Sequence, residues 1–184
     1  MDTKAAPQLS SVYAPVAREM ALLTDFLGTE FAGVDPLIGD LLDHVARFRG
    51  KQMRPALLFL SGQLGPAWRE PTPGCDRVKI AAVVELIHTA TLVHDDILDA
   101  ALVRRKVETV HRRWGERAAV LIGDFIYSRA FHLSTQVEGM AAVLSDATNT
   151  ICEGELLQLR QRFCPDIGEA RYFEIIEKKT AILY

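Results

Sequence analysis

Asp95, Asp96 and Asp99 crowd three carboxylates into the five-residue run DDILD. On a helix of 3.6 residues per turn, Asp95 and Asp99 stand one turn apart on the same face. Their charges repel unless a cation lies between them. Hard oxygen pairs at this spacing suit Mg2+, which takes one or two carboxylates and completes its shell with water and phosphate oxygens. The run also sits near a helix C-terminus, the unfavourable end for negative charge. A solvated acidic helix end is the competing reading of these residues taken alone. Two neighbouring features weigh against it. His88, Leu92, Asp95 and Asp99 follow one another at steps of four, three and four, so they share one helical stripe. Arg104 and Arg105 come next in the following loop, and arginine forks grip phosphate oxygens in bidentate fashion. Acids for a metal beside arginines for phosphate describe a metal-bridged polyphosphate site.

Upstream, Arg49-Gly50-Lys51-Gln52-Met53-Arg54-Pro55 precedes an apolar helix. Gly50 allows close backbone approach, and Lys51 and Arg54 project near a helix start, a natural place for an anion. Basic residues around a turn are more often simply solvated. Of the remaining histidines, His44 and His132 read as structural, and His94 and His111 as packing or hydrogen-bonding residues near the acids.

The elements that must position these groups are helical throughout. Apolar periodicity predicts helices at about 10–29, 36–48, 54–64, 76–98, 117–137, 140–163 and 168–184, with loops at 64–75, at 100–109 and around 164–166. Asp35-Pro36 is an N-cap followed by proline at the first helical position. The 76–98 segment is apolar nearly all round, which marks a buried, central helix, yet it ends in carboxylates. With 49% hydrophobic and 24% charged residues the chain has material for a core and is not disordered. A net charge of −3 gives no basic field, so no nucleic-acid partner is expected. Cys75, Cys152 and Cys164 are scattered without pairing, which argues for a reducing compartment and against zinc or disulfides. No signal peptide and no transmembrane segment are expected, and the chain reads as cytoplasmic.

Taken in order, five segments resemble the trans-isoprenyl diphosphate synthase (polyprenyl synthetase) family, in its medium- or long-chain form. RGKQMRP matches the family's GGKRxRP, and ELIHTATLVHDDILDAALVRR matches its first aspartate-rich motif with the arginine pair, without a gap between Asp95 and Arg105. TVHRRWGERAAVLIGDFIYSRAF, EGELLQL and EIIEKKTAILY match three further segments, so the likeness spans about residues 45 to 184. The resemblance implies an all-α antiparallel helical bundle of the isoprenoid synthase type, with residues 1–184 as a single, incomplete domain. Asp95, Asp96 and Asp99 would hold Mg2+, with Asp96 supporting. Arg104 would contact the allylic diphosphate, and Arg105, Lys51, Arg54 and His88 the diphosphate of isopentenyl diphosphate. Lys179 and Thr180 would stabilise the allylic group as it ionises, and Gln158 would face the same cavity.

The implied reaction condenses isopentenyl diphosphate with an allylic prenyl diphosphate, and the implied assembly is a homodimer. Ala90 and Thr91 are small where short-chain members carry bulk, which favours a product longer than farnesyl. Some residues depart from the pattern: Arg49 and Gln52 replace a glycine and a basic residue, and Lys106 replaces the glycine after the arginine pair. The family's second aspartate-rich motif has no counterpart here, and the C-terminal helices are expected to be missing. The alternative reading is a truncated or non-catalytic partner subunit of a heteromeric prenyl diphosphate synthase.

Overall fold

The structure is a computed structural model that describes residues 9–65 and 69–184. Among these residues the regular elements are α1 (Leu9–Tyr13), α2 (Ala17–Thr29), α3 (Pro36–Ala46), α4 (Met53–Gln63), α5 (Asp76–Leu98), β1 (Val103–Arg104), β2 (Val107–Glu108), α6 (Val110–Trp114), α7 (Glu116–Ser134), α8 (Met140–Gln161) and α9 (Glu169–Lys179). Short 3-10 turns add Ala14–Val16 and Ala181–Leu183. The chain divides into two compact units, Met1–Ala130 and Phe131–Tyr184.

In the first unit α5 has the bounds its periodicity predicts, and no residue from Arg77 to Ile97 is exposed. It packs against α2 and α4, with Val78, Ala82, Val83, Ile87 and Ala90 essentially inaccessible. Against it lie Leu23 and Leu27 of α2 and Phe59 of α4. Burying a large aliphatic or aromatic side chain contributes about 1.5–3 kcal/mol, so this helix is the natural centre of the unit. At α3, Asp35 accepts a hydrogen bond from Leu37 N at 2.9 Å and Pro36 opens the helix, as expected.

Three expectations change. The helix expected over 10–29 breaks at Ala14–Val16, because Pro15 lacks an N–H and its ring clashes with the preceding turn. The last helix ends at Lys179, where Thr180 leaves helical geometry (φ −125°, ψ −51°). The loop expected at 100–109 contains a hairpin, with Val103 paired to Glu108 and Arg104 to Val107. Its turn residues, Arg105 and Lys106, both have positive φ (49° and 71°), as a two-residue hairpin demands. Of the 64–75 loop, Pro66–Trp68 lie outside the described residues.

The exit from α5 makes the hairpin possible. Ala100 N donates to Ile97 O at 3.1 Å and Ala101 N to Asp96 O at 2.9 Å, with Ala100 in the left-handed region at φ 51°. This is the Schellman pattern, here with alanine in the usual glycine position. Thr109 Oγ1 then donates to Ala101 O at 2.8 Å and closes the base of the hairpin. The chain therefore turns sharply back on the acidic end of the helix.

In the second unit α8 packs on α9. A Cβ on Gly154 would stand 2.5 Å from Lys179 N and 2.9 Å from Lys178 C and Lys179 Cα, so the missing side chain admits the backbone at the end of α9.

Candidate active site

The stripe on α5 forms as its spacing dictates. Asp95 is half-buried, and Asp99, at the C-cap, is exposed. Asp96 points elsewhere. Expected among the metal ligands, it is 1% exposed, and its Oδ1 accepts from both Nε and Nη2 of Arg104 at 2.8 Å. Asp96 lies about 100° around the helix from Asp95, and this is the side to which the hairpin brings Arg104. Burial pushes the Asp96 carboxyl up, opposed by the Arg104 hydrogen bond and charge. Its Oδ2 is buried without a hydrogen-bond partner, as is His111 Nδ1.

Arg105 goes the other way. Its Nη1 donates to Phe48 O, and its guanidinium fills the space that a Cβ on Gly50 would occupy. Gly50 thus serves the close approach expected of it, with Arg105 as the visitor. The left-handed turn residues let two consecutive arginines serve two places, one at the acidic end of α5 and one at the α3–α4 loop.

Basic side chains converge on one stretch of α5. His88 is lowered from its ordinary value to about 4, first by burial and then by the charges of Arg54, Arg105 and Arg104. Glu85, one turn earlier and 7% exposed, is pushed up by burial and pulled down by Arg54, Arg49 and Arg105. Lys51 is exposed, with its carbonyl accepting from Tyr13 OH at 2.7 Å. Gln52, left-handed at φ 50° and at the N-cap of α4, keeps its Nε2 buried without a partner. The first unit therefore brings the charges of Arg54, Arg104 and Arg105 to bear on His88, and those of Arg54, Arg49 and Arg105 on Glu85. A lone acid inside an apolar helix is the signal that points to Glu85, since such a group needs nearby cations.

A cavity of about 150 Å3 is lined by Leu27, Phe31, Leu86 and Ile126, with Asp43, Arg49 and Glu85 as its charged members. Thr89 also lines it, whereas Ala90 is fully packed and Thr91 Oγ1 donates to His88 O at 2.9 Å. His44 is structural: its Nε2 lies 2.7 Å from Glu108 O, and its ring stands edge-on to Phe48 and Trp114.

Gln158, Lys179 and Thr180 belong to the second unit. Lys179 Nζ reaches both carboxylate oxygens of Glu155, at 2.7 and 2.9 Å, and Lys178 Nζ pairs with Glu153 at 2.6 Å and with Glu174 at 3.2 Å. Gln158 and Thr180 are exposed.

His88 gives a direct test. Above pH 6.5 it is neutral in folded and unfolded chains alike. Between 6.5 and about 4 the unfolded chain takes up a proton that the folded chain refuses, so this group's contribution to stability is lost as pH falls through that window. A proton NMR titration should place its midpoint near 4. Added pyrophosphate should raise the midpoint, because a bound anion offsets the arginine charges. A midpoint unmoved by pyrophosphate would mean that no anion binds beside it.

Residues 35–184 match the polyprenyl synthetase family. The chain is 37% identical over 175 residues to the all-trans-nonaprenyl-diphosphate synthase (geranyl-diphosphate specific) of Rhodobacter capsulatus, covering 94% of this chain and 53% of that protein. It is 41% identical over 150 residues to the octaprenyl diphosphate synthase of Escherichia coli K12, covering 80% and 45%. Among solved structures, a decaprenyl diphosphate synthase from Rhodobacter capsulatus superposes with a TM-score of 0.87 at 32% identity, over 96% of this chain and 54% of that one. A polyprenyl synthase from Caulobacter crescentus, complexed with calcium and isoprenyl diphosphate, gives 0.87 at 32%, over 98% and 54%. The chain spans about half the length of these relatives. Matched by the family model over residues 35–184, 37–41% identical to these relatives, and predominantly helical with one short hairpin, the chain belongs to the polyprenyl synthetase family.

Proposed function

We propose that this chain supplies the diphosphate-binding part of a prenyltransferase that joins isopentenyl diphosphate to an allylic diphosphate and builds an all-trans polyprenyl diphosphate. The observation that carries the reading is the division of labour between Arg104 and Arg105. One stands beside the aspartates, and the other joins Arg54 at His88. Two diphosphate groups need two cationic seats, and the hairpin supplies an arginine to each.

The residues present fit a divalent cation as a substrate-bridged ion. Asp95 and Asp99 offer oxygen donors one turn apart at the accessible end of α5, and no set of three ligating side chains stands close enough to form a complete cage among the described residues. Asp95 and Asp99 would hold Mg2+, with phosphate oxygens completing the shell, whereas Asp96 serves Arg104. Bound there, Mg2+ supplies charge neutralisation for the departing diphosphate.

Arg104 binds and orients the allylic diphosphate, and its fixed charge stabilises the oxygens as the carbon–oxygen bond breaks. Arg105, Lys51, Arg54 and neutral His88 hold the second diphosphate and orient its double bond to attack the allylic cation. Proton loss then completes the addition. Lys179 and Thr180 are assigned to the ionising allylic group, and Gln158 to the same cavity. Small residues at Ala90 and Thr91 support a product longer than farnesyl. The assembly is a homodimer, and the place of action is the cytoplasm, where Cys75, Cys152 and Cys164 stay free thiols. No helix among the described residues is long and apolar enough to cross a membrane.

Asp95→Ala tests the reading. It should abolish Mg2+-dependent binding of pyrophosphate to this chain, read by calorimetry. It should also abolish incorporation of labelled isopentenyl diphosphate, with farnesyl diphosphate as acceptor, by the intact enzyme. Near-normal values in both assays would sink the assignment.

A further inference from the structure

We propose that His94 is a positioning residue for Asp95 and Asp99, seated in a notch that Gly123 leaves on α7. The imidazole stands where a side chain on residue 123 would begin: a Cβ there would overlap His94 Nε2 and Cδ2. From this seat Nε2 lies 3.2 Å from Val120 O and 3.5 Å from Asp124 Oδ1. The tautomer with its proton on Nε2 donates to the carbonyl, and the Asp124 carboxylate favours that proton position. Gly123 is buried and the His94 side chain is 33% exposed, so the notch is closed on the α7 side and open toward solvent on the other.

The location gives the contact its consequence. His94 directly precedes Asp95. Past it, Asp96 is the one remaining buried residue of α5, and Leu98 (59% exposed) and Asp99 have little packing of their own. Successive helical residues differ by about 100° in direction, so a small rotation of this last turn swings both carboxylates away from their common face. Arg104 fixes the turn through Asp96 on one side, and His94 fixes it against α7 on another. Groups that orient a ligand without touching the ion typically change metal affinity by about 10–100-fold. This inference rests on the prenyl-transfer reading for its ligand.

The test separates binding that needs the aspartates from binding that does not. Pyrophosphate is titrated into the full chain by calorimetry with Mg2+ and with EDTA, for wild type, His94→Ala, His94→Gln and Gly123→Ala. Asp95 and Asp99 act only through the cation, whereas the arginines bind the anion without it. His94→Ala and Gly123→Ala should weaken the Mg2+-dependent component by about tenfold or more and leave the EDTA value unchanged. His94→Gln, which keeps an N–H within reach of Val120 O, should restore most of the loss. A His94→Ala chain that binds like wild type with Mg2+ overturns the inference. So does one that loses both components equally, because that is general loss of structure. A wild-type chain with no Mg2+-dependent component at all overturns the prenyl-transfer reading, and this inference with it.

Discussion

Asp96→Ala is expected to destabilise the protein by about 3–5 kcal/mol, the usual cost of removing one partner from a buried ion pair. The Asp96 side chain is 2% exposed and that of Arg104 24%, so the guanidinium left behind is only partly rehydrated. The loss should appear as a lower midpoint in urea unfolding, together with weaker pyrophosphate binding in the absence of Mg2+, because Arg104 loses its anchor. Asp99→Ala supplies the contrast. Asp99 is exposed and caps the helix, so its removal should move stability by no more than about 0.5 kcal/mol while eliminating Mg2+-dependent binding. Two aspartates three residues apart would then show opposite phenotypes. If both variants unfold at the wild-type midpoint, the Asp96–Arg104 pair does not tie the hairpin to α5.

Gly154→Ala is the second large effect. The added methyl would meet backbone atoms of Lys178 and Lys179 at 2.5–2.9 Å, and backbone cannot swing aside as a long side chain can. The end of α9 must shift, at a cost of about 1–3 kcal/mol for overpacking. The shift would pull Lys179 from Glu155 and Lys178 from Glu153, so the loss should appear as a lower thermal midpoint, and under the role proposed for Lys179 prenyl transfer would fall with it. Gly39, inside α3 with nothing within 4 Å of its would-be Cβ, is the control. Gly39→Ala should stabilise by about 0.5–1 kcal/mol, since alanine loses less freedom in a helix. Equal thermal midpoints for Gly154→Ala and wild type would show that α9 can yield at no cost.

Both effects come from contacts that helical periodicity does not encode. Periodicity does reveal α5 from end to end, because apolar residues spread over nearly all of its faces leave no wide polar face to keep in water. Asp35-Pro36 marks the start of α3 because capping is local chemistry. The hairpin at 103–108 is hidden for an equally local reason. Strands of two residues are too short to show alternation, and an Arg-Lys turn lacks the Asn-Gly signal of its type. The break at Pro15 is legible in principle, since proline cannot continue a helix, but an apolar periodicity that runs straight through it masks the interruption.

The site divides along the same line. Which carboxylates share a face follows from 3.6 residues per turn, and so the spacing within DDILD alone places Asp95 and Asp99 together and Asp96 apart. What each face meets does not follow. That Asp96 takes Arg104, that Arg105 leans on Phe48 and Gly50, and that Arg49 and Glu85 join the basic cluster are decided where the chain turns back at Ala100 and the helices pack. The sequence by itself therefore determined the family, most of the helices and the inventory of charged groups, because ordered motifs, local periodicity and composition are legible along the chain. The tertiary structure decided which charge answers which, because ion pairs, notches and desolvation join residues that only packing brings within a few ångströms.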